Sequence, residues 1–131
     1  ILRRLKAPAV LTPHPGEFSR LCGLPTDEVL KRRLEVVPRF AAAHGVFVVL
    51  KGFRTIIATP DGRLLVNTTG NPGMASGGSG DVLSGLIASQ AVQERDLAGA
   101  IASAVYVHGL AGDISQRLAR QPHRGHPGGD Q

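Results

Sequence analysis

Hydrophobic residues along the chain alternate between short continuous runs and longer stretches with helical spacing. Residues 8–11 (PAVL) are a short apolar run ended by a Thr-Pro pair, which predicts a buried strand. Residues 46–50 (VFVVL) are continuously apolar and rich in β-branched side chains, a pattern typical of a central strand covered on both faces. Residues 55–59 and 63–67 flank a Pro-Asp-Gly turn and predict a β-hairpin.

The stretches between and after these strands predict helices. Thr26 and Asp96 are suitable N-cap residues, whereas Gly23 and Gly45 suit left-handed helix ends. Pro38 is expected to break or kink the second helical stretch. The predicted helical segments are residues 17–22, 27–37, 39–44, 80–92 and 97–119.

Strands separated by helices, with one hairpin, predict an α/β fold in which a sheet lies between helix layers. About four strands are expected, which is few for a self-sufficient sheet of this kind. Residues 1–120 would form this unit. Residues 121–131 contain only Pro, Gly, Arg, His and other polar residues with nothing to bury, so they predict a disordered tail.

Composition narrows the functional classes. We find no apolar run long enough to span a bilayer and no signal-peptide pattern, which favours a cytoplasmic protein without a membrane partner. Cys22 is the single cysteine, so the chain cannot form an internal disulfide, and no spaced metal-ligating cluster is apparent. We therefore predict no metal site made by the protein alone.

The formal net charge of +5 does not indicate nucleic-acid binding. Residues 1–40 hold eight Lys or Arg against four Asp or Glu, and aromatic residues are only 4% of the chain, so bases would find little to stack on. The basic excess is better explained as a solvated helix face. Small molecules that carry phosphate remain attractive partners.

A glycine-rich loop precedes the helix predicted from residue 80. Gly77, Gly78 and Gly80 leave backbone amides uncovered where a helix presents its unpaired N–H groups and the positive end of its dipole. This arrangement favours an anion site, although such loops also serve purely structural roles. The pattern is neither a Walker A motif nor GxGxxG.

Asp81 follows this loop directly and has two possible roles. It could stabilise the helix N-terminus, or it could act as a general base that takes a proton from a substrate hydroxyl during phosphoryl transfer. Both roles are compatible, because a helix N-terminus keeps a carboxylate ionised.

Two further segments place polar groups after predicted strands. Lys51 and Gly52 end the central strand, where ligand crevices of open α/β sheets lie, although a strand-end lysine can also simply reach solvent. His14 stands between two prolines in a stiff loop, where it could hold a ligand or only shape the turn. Asn67, Thr68 and Asn71 could donate hydrogen bonds to ribose or phosphate, or only make turns.

Four segments together resemble the NAD(P)H-hydrate dehydratase family of the ribokinase-like superfamily. They are TPHPGEFSRL, VVLKGFRT, GNPGMASGGSGDVLSG and VHGLAGD, and they occur in the family's order. The GSGD sequence identifies only the superfamily, and the other segments narrow the resemblance to the dehydratases. The resemblance implies a ribokinase-like three-layer α/β/α sandwich, here truncated at its N-terminus, because family members have a long N-terminal half.

The resemblance also implies a repair reaction that uses ADP or ATP, with Mg²⁺, to dehydrate the S forms of hydrated NADH and NADPH. The substrate hydroxyl would be phosphorylated by the nucleotide, and phosphate would then be eliminated. Mg²⁺ would be bound mainly by the nucleotide phosphates. A homo-oligomer is compatible with this assignment.

Site residues carried over from the family fall into three groups. Asp81 would be the catalytic base and would also contact the hydrated dinucleotide. The other substrate-binding residues would be His14, Pro15, Gly16, Glu17, Phe18, Ser19 and Arg20. The nucleotide would be held by Lys51, Gly52, Phe53, Arg54, Thr55, Asn71, Gly77, Gly78, Ser79 and Gly80. Two alternatives remain: a ribokinase-like kinase of a hydroxymethylpyrimidine-type alcohol, or an inactive fragment.

Overall fold

A computed structural model of the protein describes residues 8–52, 54–71 and 79–120. Phe53, Gly77, Gly78 and the predicted tail at 121–131 lie outside these residues, as does the side chain of Ser79. The elements in chain order are β1 Val10–Leu11, α1 Pro15–Cys22, α2 Thr26–Lys31, α3 Arg33–His44, β2 Phe47–Leu50, β3 Ile56–Ala58, β4 Leu64–Val66, α4 Ser79–Gln93 and α5 Leu97–Arg120.

The four strands form one sheet in the order β1-β2-β3-β4. Strands β1 and β2 are parallel, with Val10 opposite Phe47, and β2 to β4 are antiparallel. Gly62, with a φ of 93°, closes the predicted hairpin turn between β3 and β4. The central strand and the hairpin are therefore confirmed.

Helices cover both faces of this sheet. Val48 and Leu50 of β2 pack with Phe18, Val29 and Val37 from the first three helices. Val49, which points to the opposite face because strand side chains alternate, packs with residues of α4 and α5 that include Leu83, Ile87, Ile101 and Val105. The two faces of β2 are thus both buried, and the predicted three-layer α/β/α arrangement is confirmed.

The helix boundaries differ from the prediction in the segment 26–44. The break occurs at Arg32, between α2 and α3, and Pro38 lies inside α3 without ending it. The N-cap of α2 is Pro25, so Thr26 is already helical. Proline removes one backbone hydrogen bond and crowds the preceding turn, but burial of Val37 and Ala41 against the sheet favours an uninterrupted helix.

Helix α5 extends one residue beyond the predicted segment 97–119. Its length of 24 residues and the mean hydropathy of 1.3 over an 18-residue window are those of a possible membrane span, which corrects the prediction that no apolar run is long enough to cross a bilayer. Its Ala98, Ile101 and Val105 pack into the interior. Length and composition are weak evidence for a span, since core helices share them.

Candidate functional site

Three chain segments meet at the end of the parallel strands. The segment after β1 and the segment after β2 are joined because the Lys51 backbone N–H donates to the Pro13 carbonyl at 2.9 Å. The hydroxyls of Thr12 and Ser84 lie 3.5 Å apart, which brings the second turn of α4 to the same edge. This edge, at the carboxyl ends of parallel strands, is where α/β sheets bind ligands.

The start of α1 is held by a reciprocal cap. The Glu17 N–H donates to Nδ1 of His14 at 3.1 Å, and the His14 N–H donates to Oε1 of Glu17 at 3.0 Å. A Cβ at Gly16 would lie 3.1 Å from the His14 ring, so a larger residue would require the ring to shift by a few tenths of an ångström. His14 is therefore the N-cap of α1, a role that its HxxE spacing to Glu17 could have revealed.

The Glu17 carboxylate is ionised at neutral pH. Its hydrogen bond from the His14 backbone lowers its pKa, and the nearby charges of His14, Lys51 and Arg20 lower it further. The charge of Lys51 is one of those that lower this pKa. Together with the backbone hydrogen bond between Lys51 and Pro13, this makes the predicted substrate and nucleotide segments neighbours.

Lys51 also lies against the start of α4. A Cβ built on Gly80 would stand 2.8 Å from Lys51 Nζ, so the ammonium group covers the Gly80 backbone. Lys51 is half-buried and has no salt bridge within the described residues. Its charge and the N-terminus of α4 thus combine two features that attract phosphate at one place.

Asp81 lies in the first turn of α4 with an exposed side chain. It follows the Gly80 backbone that Lys51 covers, so the predicted base stands beside the predicted anion site. The Ser84 hydroxyl donates to the Gly80 carbonyl at 3.0 Å and stiffens this turn. Sequence reasoning missed Ser84 and Thr12, although both lie within the family-like segments.

The remaining predicted substrate residues occupy different environments along α1. Phe18 is fully buried and packs edge-on against Phe40 at 5.3 Å between ring centroids, so its side chain belongs to the core. Helical periodicity turns it towards the core. The Ser19 hydroxyl donates to the Leu24 carbonyl, whereas Pro15 is the first helical residue and Arg20 is exposed.

The predicted nucleotide segment after β2 forms a compact turn. The buried Thr55 hydroxyl donates to the Gly52 carbonyl at 3.2 Å, and the Arg54 carbonyl accepts a hydrogen bond from Arg33 at 2.9 Å. Gly52 is exposed and has open space where a Cβ would stand. Thr55 therefore shapes the turn, and Gly52 offers an accessible backbone to a ligand.

Asn71, the last of the predicted nucleotide residues before the glycine-rich segment, is held by α5. Its Nδ2 donates to Asp113 Oδ1 at 3.0 Å. Two other polar residues of the same loop, Asn67 and Thr68, line an open groove of about 440 Å³ between the hairpin and α5. Sequence reasoning missed Asp113, although it is the last residue of the VHGLAGD segment.

No group of three His, Cys, Asp or Glu side chains that could hold a metal ion occurs in the described part of the chain. The arrangement at the sheet edge instead offers a cation, helix amides and an adjacent carboxylate. Such a set can stabilise a phosphoryl group and accept a proton next to it.

Comparisons with known proteins agree with this chemistry. The family model for NAD(P)H-hydrate dehydratase matches residues 2–123. An ADP-dependent (S)-NAD(P)H-hydrate dehydratase of Bacillus subtilis is 43% identical over 109 residues, which are 83% of this chain and 40% of that protein. A bifunctional NAD(P)H-hydrate repair enzyme of Moorella thermoacetica is 49% identical over 114 residues, 87% of this chain and 22% of that enzyme.

A solved structure of a similar protein has the same fold as this chain. It is the ADP/ATP-dependent NAD(P)H-hydrate dehydratase of Bacillus subtilis co-crystallized with ATP/Mg²⁺, with a TM-score of 0.82 and 43% identity over 84% of this chain and 40% of that one. The chain therefore spans from about a fifth to two fifths of the length of these relatives. By its sequence, its fold and its shared segments, the chain belongs to the NAD(P)H-hydrate dehydratase family.

Proposed function

We propose that the protein uses ADP or ATP to dehydrate the S forms of hydrated NADH and NADPH. The observation that carries the proposal is the position of Lys51 Nζ over Gly80, one residue before Asp81 at the start of α4. Family membership supports the choice of substrate, because relatives of this chain are named for this reaction.

Lys51 and the α4 N-terminus would bind the phosphates of the nucleotide. An ammonium group beside free helix amides stabilises phosphate charge, and it does so better in the transition state when the groups are already in place. Gly80 lets the ammonium approach the backbone, since a side chain there would displace it. These groups would also stabilise the negative charge that moves to the leaving nucleotide.

Asp81 would take the proton of the substrate hydroxyl as its oxygen attacks the terminal phosphorus. A new O–P bond forms, the bond between the transferred phosphoryl group and the nucleotide breaks, and AMP or ADP leaves. The C–O bond of the phosphorylated substrate then breaks, with its electron pair leaving on phosphate. Loss of a proton from the adjacent ring carbon restores the double bond of the reduced nicotinamide.

Mg²⁺ would neutralise charge on the nucleotide phosphates. The described residues provide no cluster of three metal-ligating side chains, so the protein alone is a poor cage for the ion there. The co-crystallisation of the Bacillus subtilis relative with ATP/Mg²⁺ supports a metal that arrives with the nucleotide.

The direct test supplies purified protein with hydrated NADH of S configuration, Mg²⁺ and either ADP or ATP, and follows NADH absorbance. We expect absorbance to rise only when nucleotide is present, with release of one phosphate per NADH formed. A stable phosphorylated product without NADH would instead support a kinase. Neither product with either nucleotide would contradict the proposal.

A further inference from the structure

The VHGLAGD segment of α5 has no part in the sheet-edge site, yet two of its residues make specific contacts. Gly109 and Asp113 are four residues apart and therefore lie on one face of the helix. Both contact residues 67–71, which we call the 67–71 loop. This loop connects β4 with the glycine-rich segment that precedes α4.

Asp113 binds the loop through both carboxylate oxygens. Oδ2 accepts a hydrogen bond from the Gly70 N–H at 3.0 Å, and Oδ1 accepts one from Asn71 Nδ2 at 3.0 Å. The hydrogen bonds from Asn71 and Gly70 lower the pKa of Asp113, and the Arg117 charge adds to this effect. Asp113 is therefore ionised at neutral pH, and both of its hydrogen bonds are charge-assisted.

Gly109 allows the loop to reach the helix backbone. A Cβ at this position would lie 2.8 Å from the carbonyl carbon of Thr69 and 2.9 Å from the Gly70 nitrogen, and it would overlap the Thr69 hydroxyl. These are mainly backbone atoms, which cannot move aside easily. The Thr69 hydroxyl donates to the Tyr106 carbonyl at 3.0 Å and adds a second attachment to α5.

The other end of the loop is tied to the turn after β2. The Asn67 N–H donates to the Thr55 carbonyl at 2.8 Å, and Thr55 is itself bonded to Gly52. Asn67 Nδ2 also donates to the Thr69 hydroxyl at 2.9 Å. Hydrogen bonds thus run from one predicted nucleotide segment, through the loop, to α5.

We infer that Asp113 is a positioning residue for nucleotide binding, acting through Asn71 and Gly70, with Gly109 as the contact that makes this attachment possible. Because Nδ2 of Asn71 is held by Asp113, its amide plane is fixed, and the opposite oxygen has a defined direction for a ligand. Rigid support of this kind preserves binding geometry. The inference rests on the proposed function in that Asn71 is taken as a nucleotide ligand.

The main test is Asp113→Asn, which has the same shape but turns one acceptor into a donor facing the loop. We expect the Kd for ADP, measured by calorimetry, to rise about tenfold, the loss typical of one charge-assisted hydrogen bond. The KM for hydrated NADH and kcat at saturating nucleotide should stay within about twofold, because Asp81 forms no hydrogen bond with residues 67–71 in the part of the chain that the structure describes. Asp27→Asn, an exposed aspartate on α2, is the matched control and should change none of these values.

A double-mutant cycle separates positioning from a general structural role. If Asp113 acts through Asn71, then Asn71→Ala combined with Asp113→Ala should weaken ADP binding by less than the product of the two single effects. If Asp113→Asn does not fold, Gly109→Ala tests the same attachment and should also weaken ADP binding, whereas Gly85→Ala, which has open space around it, should not.

Three results would overturn the inference: an ADP Kd within about twofold of wild type in Asp113→Asn, an equal rise in the KM of both substrates, or effects that multiply in the double variant. ADP binding without dehydration in the wild type would remove the proposed function and leave this test valid. Absence of ADP binding in the wild type would remove the positioning role as well.

Discussion

At the sheet edge two charged side chains have no ion-pair partner among the described residues, whereas the 67–71 loop is held by a carboxylate that has hydrogen-bond partners. At the sheet edge, Lys51 and Asp81 form no salt bridge with each other or with any other described residue. In the 67–71 loop, Asn71 is bonded directly to Asp113. A charge that a protein leaves unpaired near a helix N-terminus is available to a ligand, whereas a paired carboxylate holds the backbone in place.

The cap of α1 has features of both regions. His14 and Glu17 are paired with each other, as in the loop, yet they stand at the sheet edge near Lys51. Their first role is therefore to fix the start of α1. Three substitutions distinguish residues that serve chemistry, ligand binding or local structure.

The largest effect is expected for Asp81→Asn. Loss of a general base should lower kcat by about 100- to 10,000-fold, because an amide of the same shape cannot accept the proton. Binding of ADP should change by no more than about threefold if the helix amides and Lys51 carry the phosphates. Steady-state kinetics with calorimetry measures both quantities.

Asp96→Asn is the matched control for Asp81→Asn, because Asp96 stands at the start of α5 and asparagine is also a good N-cap. It should leave kcat unchanged. A normal kcat in Asp81→Asn, accompanied by a lower unfolding temperature, would reduce Asp81 to a helix-stabilising residue and remove the contrast between the two regions.

A smaller effect is expected for Gly80→Ala. The added methyl would meet Lys51 Nζ at 2.8 Å, and the flexible lysine would move aside, so folding should be retained. We expect ADP to bind about tenfold more weakly, which corresponds to roughly 1.4 kcal/mol. Gly85→Ala, on the same helix with open space around it, should leave ADP affinity unchanged; equal affinities in the two variants would show that the Lys51 position does not matter.

The smallest effect is expected for Glu17→Gln. The pKa of Glu17 is lower in the folded protein, first through its hydrogen bond from the His14 backbone, so its ionised form stabilises the fold. This contribution is complete above the ordinary carboxyl range and is lost as pH falls through the folded-state pKa. Glu17→Gln should therefore have a slightly lower Tm than the wild type near neutral pH, and the two Tm values should converge in acid.

Glu28→Gln, in the first turn of α2, is the control for removal of a helix-start carboxylate. A Tm difference for Glu17→Gln that does not change with pH would show that its charge has no role in holding α1. At each pH, the kcat of Glu28→Gln should equal that of the wild type.

Local sequence determined much of the fold and part of the site. The apolar run 46–50, the Pro-Asp-Gly turn and the left-handed glycines at 23 and 45 each specify their own backbone conformation, because the physical cause lies within a few residues. The same holds for Asp81 at the start of α4. The predicted end of a helix at Pro38 was wrong, because burial of α3 against the sheet outweighed the local preference of proline.

Only the tertiary structure decided which distant residues meet. Lys51 reaches Gly80 because β2 ends beside the start of α4, and Asp113 reaches Asn71 across 42 positions of the chain because α5 packs along the loop. Burial likewise assigned Phe18 to the core, although it lies within a family-like binding segment. Such contacts depend on how elements pack against each other, which the periodicity of any one segment does not encode.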